Sequence, residues 1–457
     1  MASWVKDIQF PQLFIPITIT NKAVVNPAGP IPVEDGDTLY LSNLDDVIGC
    51  RVLTPTVYFY NSDPSSSSRV METLRDALSL VLVPYYPLSG RLRETENGKL
   101  EVFFGPNQGA LIVEARSLMT LAELGDLSVP NPSWTSLVHY FPNEEPYRVT
   151  DVPLIIAQVT YFGCGGFSLG LRLCHCLCDG IGAMQFFSAW ATMARLGTLS
   201  ATPTPCWDRE YFLPQNPPLI KFPHKEFMSV IDCSTLTKSL WEVKPIQKCY
   251  MVSKEFLDLV KSMSNLNNNR EITFSTFDAM AAHIWRSWVK ALDVSPKDYE
   301  LRLTFTVNVR HMLKDRPLKE GFYGNAVSVA CATSTVHDLI DKPLPNTTDL
   351  VHNARISVNE DYIRSVVDYI EVKRPKMLEF GGKLTITQWT RFLLYELADF
   401  GWGRPVYAGP IDLRPTPQVC VLLPEGGPDA HGVLVCICLP EAACRKFEEF
   451  FCLNNLR

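Results

Sequence analysis

The chain has 457 residues, more than one hydrophobic core usually organises, so two domains or one duplicated fold is the starting expectation. Its 46% hydrophobic and 11% aromatic content supplies ample apolar surface to bury, which excludes a disordered chain. Forty-two basic against 49 acidic side chains leave a net charge of −7, with no Lys/Arg run beyond two residues, which argues against a nucleic-acid partner or a polybasic membrane contact.

The opening residues lack the basic-then-apolar pattern of a secretory signal. The fourteen cysteines include no CxxC pair, so free thiols and a cytoplasmic location are expected. The uncharged stretch 152–171 is long enough to cross a bilayer. Pro153, Gln158 and the glycines at 163, 165 and 166 make two strands joined by a glycine turn the better expectation, with no membrane span.

In chain order, a polar run at Ser65–Ser68 leads into Val70, Leu74, Ala77, Leu78 and Val81, a helical stripe that stops before Pro84. Tyr85 to Arg91 reads as a turn into a strand. Leu169, Leu171, Leu173 and His175 share one strand face, with Arg172, Cys174 and Cys176 on the other. Met184, Phe187, Ala191 and Ala194 follow Gly180 at helical spacing, so the segment between is a strand-to-helix turn. Six prolines between Pro203 and Pro223 mark a crossover linker, giving an N-terminal domain 1–202, a linker 203–225 and a C-terminal domain 226–457. Ser275 with Asp278 opens a helix through Trp285 and Trp288 as a capping box. Leu301, Leu303, Phe305, Val307 and Val309 alternate with Arg302, Thr304, Thr306, Asn308 and Arg310, a strand with one polar face. Lys383, Thr385, Thr387, Trp389 and Arg391 share one face of a later strand. Val433 to Leu439 is an apolar strand, and Pro440 starts the last helix. The alternation of helical and strand patterns reads as an α/β chain.

The segment His175-Cys176-Leu177-Cys178-Asp179-Gly180 carries the most chemistry, although a His-xxx-Asp match occurs by chance roughly half a time in such a chain. A zinc site needs converging ligands. Alternate positions of a strand instead set the sulfurs of Cys174, Cys176 and Cys178 in a row facing away from the imidazole, so no metal is expected. The same parity defeats a nucleophilic dyad of His175 with an adjacent cysteine, and a general base at a strand end survives.

Far downstream stands Asp399-Phe400-Gly401-Trp402-Gly403. Together with His175-xxx-Asp179-Gly180, this pentapeptide resembles the BAHD family of plant acyl-CoA-dependent acyltransferases. Tyr86 to Arg91, the Ser275 to Trp285 helix, Val307 to Arg310 and Gly321-Phe322-Tyr323-Gly324-Asn325 fall in family order and spacing. The resemblance implies a monomer of two similar chloramphenicol-acetyltransferase-like α/β domains with mixed sheets and a solvent channel between them. Acyl-CoA is a co-substrate entering from one side, and a small-molecule acceptor enters from the other; no cofactor, metal or acyl-enzyme is implied. His175 is then the general base. Asp179, followed by Gly180, pairs with Arg310 rather than orienting the imidazole as in a triad. Asp399, Gly401, Trp402 and Gly403 lie away from the chemistry and shape the CoA side.

Further residues follow from the same likeness. Thr387-Gln388-Trp389 is similar to the Thr-Ser-Trp of hydroxycinnamoyl-CoA users, and its hydroxyl and indole N–H suit a developing oxyanion. Thr54-Pro55-Thr56-Val57-Tyr58 is similar to an active-site Thr-Pro-Ser-Val-Tyr of hydroxycinnamoyl transferases, which implies an aromatic acyl group of hydroxycinnamoyl or benzoyl type. Ser275 and Thr276 open a helix whose N–H groups suit a CoA phosphate or pantetheine carbonyl. Arg374 stands near the position of the carboxylate-binding arginine of shikimate users, with different neighbours; other relatives use long-chain alcohols, ω-hydroxy acids or polyamines. A non-catalytic relative partnering lipid elongation is the alternative, and the intact motifs favour the enzyme.

Overall fold

The computed structural model describes residues 4–8, 12–61, 69–142, 149–150, 152–200, 202–230, 232–236, 238–266, 273–377, 380–426 and 431–453. The polar run at Ser65–Ser68 lies outside the described residues.

The first half contributes β1 (Val5–Ile8), β2 (Thr18–Val25), β3 (Thr38–Tyr40), β4 (Leu53–Tyr60), α1 (Val70–Val81), β5 (Arg91–Glu94) and β6 (Leu100–Phe103). It continues with β7 (Ala110–Arg116), β8 (Ile155–Tyr161), β9 (Phe167–Cys174) and α2 (Gly180–Leu196). The second half begins with β10 (Ile246–Val252), α3 (Lys254–Ser264), α4 (Thr276–Ala291), β11 (Glu300–Asn308), β12 (Val327–Thr335), α5 (Val336–Asp341) and α6 (Leu344–Ser357). Then come α7 (Glu360–Lys373), β13 (Lys383–Gln388), β14 (Tyr407–Pro410), β15 (Val419–Pro424), β16 (Val433–Leu439) and α8 (Glu441–Phe451).

Two mixed sheets carry the architecture. One has the order β14-β4-β9-β8-β7-β2, with β7 and β8 parallel; the other has the order β1-β10-β16-β15-β13-β11-β12, with β13 parallel to both β11 and β15. A small sheet β3-β6-β5 completes the set. Chain order and sheet membership part company twice, because β1 joins the sheet of the second half and β14 pairs with β4 in the first.

Local sequence accounts for most elements. α1 buries Val70, Leu74, Ala77, Leu78 and Val81 against α2, each larger side chain contributing about 1.5–3 kcal/mol of transfer free energy. The stretch 152–171 becomes β8, a turn with Gly165 at φ 85°, and the start of β9. Both arms of the Ser275/Asp278 capping box form, and α4 lays Trp285 and Trp288 into the core of the second half.

Two expectations are corrected. β13 stops at Gln388, so Trp389 and Arg391 lie beyond it, where a turn closes with Phe392 N–H donating to the Trp389 carbonyl. Pro440 caps the last helix rather than opening it, its φ of −57° preceding Glu441. The polar face of β11 is divided between solvent, at Thr306 and Asn308, and the interior. Arg302 and Thr304 are buried there, Arg302 because it donates to the carbonyls of Lys225, Met228 and Gly381. Among the described residues no helix is long and apolar enough to cross a membrane.

Candidate active site

β9 ends at Cys174, and residues 175–177 form a turn that feeds Asp179 into the N-cap of α2. His175 N–H donates to the Val52 carbonyl at 2.9 Å, fastening the turn to the start of β4. The imidazole is half-buried. Its Nδ1 is buried with no hydrogen-bond partner among the described residues.

Asp179 does not serve His175. Its carboxylate is buried and accepts from Arg310 at 2.7 and 2.9 Å, from Gly182 N–H at 3.0 Å and from Ala326 N–H at 3.0 Å. Four donors fill the four acceptor sites of a carboxylate, so none is left to orient an imidazole. Arg310, two residues past β11, ties the start of α2 to the second half. Gly180 is required where the halves meet, because a Cβ there would stand 2.3 Å from the Phe392 ring.

The cysteines of the turn are not set in one row, because only Cys174 belongs to the strand. Cys176 Sγ donates to the Cys50 carbonyl at 3.1 Å, whereas Cys178 Sγ sits 3.3 Å from the Tyr323 hydroxyl. Burial pushes the Cys178 thiol well above its ordinary value, and the hydrogen bond with Cys174, then burial, does the same for Cys176. Neither is a thiolate near neutral pH, which removes both as nucleophiles.

β4 runs antiparallel to β9 with Thr54 opposite Leu173, two residues before His175, and Thr56 opposite Leu171. Thr54 and Thr56 are half-buried. Tyr58 is a core residue: its ring stacks on Phe187 at 4.3 Å, and burial raises its hydroxyl pKa. From the other sheet, just past β13, Trp389 is half-buried against Phe392, the side chain that meets Gly180. Trp389 borders the apolar cluster that holds Cys174 and Leu177, and Thr387 is half-buried on β13.

The pentapeptide lies at the other end of β9. Trp402 packs edge-on against Phe167, the first residue of that strand, and against Tyr60. At about 3.3 Å per residue this is roughly 25 Å from His175. The Asp399 carboxylate accepts from Gly401 and Gly403 N–H, whose φ values of 108° and 84° favour glycine, and pairs with Arg195 at the end of α2. Ser275 Oγ accepts from Asp278 N–H while Asp278, paired with Arg355, accepts from Ser275 N–H. The serine hydroxyl is thus engaged in its own cap, and Thr276 remains half-buried in the first turn. Arg374 caps α7 at φ 39° and donates to Glu371 at 3.4 Å.

The Transferase family model matches residues 15–453. Alcohol acyl transferase 1, allele RGb, of Malus domestica is 36% identical over 434 residues, covering 94% of this chain and 92% of that protein. Omega-hydroxypalmitate O-feruloyl transferase of Arabidopsis thaliana is 33% identical over 414 residues, covering 90% and 88%. The chain belongs to the BAHD acyltransferases. Its two mixed sheets are the family's two-domain fold, which vinorine synthase shares at a TM-score of 0.70 and 21% identity over 94% of this chain and 96% of that one. As a BAHD enzyme it is an acyl-CoA-dependent acyltransferase.

Three residues at the turn escaped the sequence. Asp45, Arg209 and Asn325 meet behind His175, and Arg209 sits within the proline-rich crossover. Only Asn325 carried a signal, as the last residue of the Gly321–Asn325 string. Charged residues in irregular segments have no periodicity to announce burial.

Proposed function

We propose that this BAHD enzyme transfers an aromatic acyl group, of hydroxycinnamoyl or benzoyl type, from its CoA thioester to a hydroxyl or amine of a specialised-metabolite acceptor, with His175 as general base. The observation that carries the base is the imidazole at the β9 end, with Nδ1 buried and the neighbouring carboxylate fully engaged elsewhere. Nε2 takes the acceptor proton as the oxygen or nitrogen bonds to the thioester carbonyl carbon and the carbonyl electron pair moves onto oxygen. Collapse restores the carbonyl and breaks the C–S bond, and the CoA thiolate recovers the proton from the imidazolium. The Trp389 indole N–H and the Thr387 hydroxyl are the donors assigned to the oxyanion. Thr54 and Thr56, beside the turn, line the acyl path, with Tyr58 supporting them from the core. Ser275 and Thr276 face the CoA side. Asp179, Gly180, Arg310, Asp399, Gly401, Trp402 and Gly403 build the frame.

The aromatic acyl group rests on the Thr54–Tyr58 and Thr387–Trp389 strings and on the feruloyl transferase among the relatives. The proposed division is a domain of 1–202, a crossover of 203–225 and a domain of 226–457, with β1 and β14 exchanged, acting as a cytoplasmic monomer that uses no cofactor. The test is a panel of feruloyl-, p-coumaroyl-, benzoyl- and acetyl-CoA against shikimate, quinate, long-chain alcohols and polyamines, with products read by mass spectrometry. Aromatic esters or amides are expected, and turnover confined to acetyl-CoA refutes the acyl assignment. His175→Ala is expected to lower turnover by about 100-fold or more; a variant at the wild-type rate refutes the base.

A further inference from the structure

The backbone of the His175 turn is held by groups that the acyl-transfer chemistry does not use. Asn325 Nδ2 donates to the His175 carbonyl at 2.8 Å and to Asp45 Oδ1 at 3.0 Å. Arg209 spends its guanidinium on Asp45 Oδ2 at 3.1 Å, on the Leu177 carbonyl at 3.0 Å and on the Tyr323 carbonyl. Asp45 is fully buried, and it also accepts from Asn325 N–H at 2.8 Å and from the Ser42 hydroxyl at 2.7 Å. Two distant pieces of chain, the crossover and the loop before β12, thus donate to two carbonyls of one turn, and Asp45, in the loop before β4, holds both donors.

The turn needs such partners because its carbonyls have left the sheet ladder and are not yet in the helix. Either apolar packing or this ion pair can fill the space. A buried ion pair is a poor source of stability beside apolar side chains of the same volume, because both ions must be desolvated. What it supplies here is direction: each donor is aimed at one carbonyl oxygen. With the His175 N–H fixed on Val52, the peptide groups on both sides of the histidine are held.

We propose that Asp45, Arg209 and Asn325 are positioning residues that set the direction of the His175 ring. This rests on His175 being the base, and a misplacement of about 1 Å in such a group costs on the order of 10² in rate. The test is Asn325→Ala in the full chain, assayed with the best substrate pair of the panel beside His175→Ala. The expected result is a kcat lowered about 10- to 100-fold, KM values within about twofold, and a displaced acid limb in the pH–rate profile. Arg209→Lys keeps a charge beside Asp45 while giving up the fork to the carbonyls, and is expected to lose kcat in the same way. A folded Asn325→Ala enzyme with kcat within about twofold of wild type overturns the proposal, even if its melting point falls. Should that variant not fold, Arg209→Lys is judged by the same criterion, and failure of both to fold assigns the cluster to stability and also overturns it. A fully active His175→Ala enzyme overturns the base itself. An inactive one beside an unaffected Asn325→Ala overturns only the positioning.

Discussion

Asp179→Asn separates a structural role from a catalytic one. The side chain is 3% exposed, and all four of its accepted hydrogen bonds come from donors at 2.7–3.0 Å, two of them on Arg310. Asparagine keeps one oxygen and turns an NH2 group toward N–H donors, so at least two bonds are lost and the guanidinium is left without its counter-charge. Removing one partner of a buried pair costs about 3–5 kcal/mol. Arg310 keeps the Gly324 carbonyl at 3.3 Å and is 13% exposed, which sets the expectation near the lower end, about 3 kcal/mol. At about 2–4 °C per kcal/mol for a unfolding unit of this size, the melting temperature falls by roughly 6–12 °C. Arg310→Met does comparable damage, and the double variant recovers part of it, because neither charge is then buried alone. Thermal melts of the four proteins, with kcat on each, decide the matter. Additive melting effects refute the ion pair, and a normally melting Asp179→Asn enzyme that has lost rate returns the carboxylate to the imidazole.

On the proposed oxyanion role, Trp389→Phe is expected to depress kcat by about 10²-fold while changing KM less; unchanged kcat with a lowered melt makes the residue structural. Gly180→Ala is expected to destabilise by about 1–3 kcal/mol through its clash with Phe392, and a second change, Phe392→Leu, to restore part of it. His283 is buried, with Nε2 on the Phe451 carbonyl, and burial lowers its pKa to about 4. The unfolded chain therefore binds the proton first, and stability present above about pH 6.5 is lost as pH falls toward 4, by about 3 kcal/mol. His283→Gln, measured by denaturant melts at pH 7 and pH 4.5, should show a smaller loss; an unchanged difference refutes the assignment.

What was legible in the sequence is what is local. The α1 stripe, the Ser275/Asp278 cap and the β8–β9 hairpin each follow from spacing within a few residues. Parity failed where strands end. It carried Trp389 and Arg391 past the end of β13, and Cys176 past the end of β9, because alternation in sequence does not say where the ladder stops. It also marks two faces without telling what covers them, as buried Arg302 shows. Arg209 was illegible for a stronger reason. Its segment reads as a proline-rich tether, yet Tyr211 and Phe212 enter the core of the second half and its guanidinium reaches Asp45, 164 residues away in sequence.

The two motifs that mark the family stand at opposite ends of one strand-turn-helix unit. β9 leads to His175, and α2 returns from Asp179 over 17 residues, about 25 Å. At the near end Asp179 caps the helix through Gly182 N–H, a carboxylate placed at the positive end of the helix dipole. At the far end Arg195 reaches the Asp399 carboxylate at 3.4 Å and its carbonyl at 3.3 Å, while Trp402 closes over Phe167. Between these ends α2 buries Met184, Phe186, Phe187 and Trp190 in the core that also holds α1, so packing along its length sets its orientation against β9. Its two ends are fastened to different pieces of the second half, Arg310 and the Asp399 turn. The pentapeptide stands at the far end of this packed helix from the turn, where Arg209 and Asn325 donate to carbonyls of the few residues that neither strand nor helix holds.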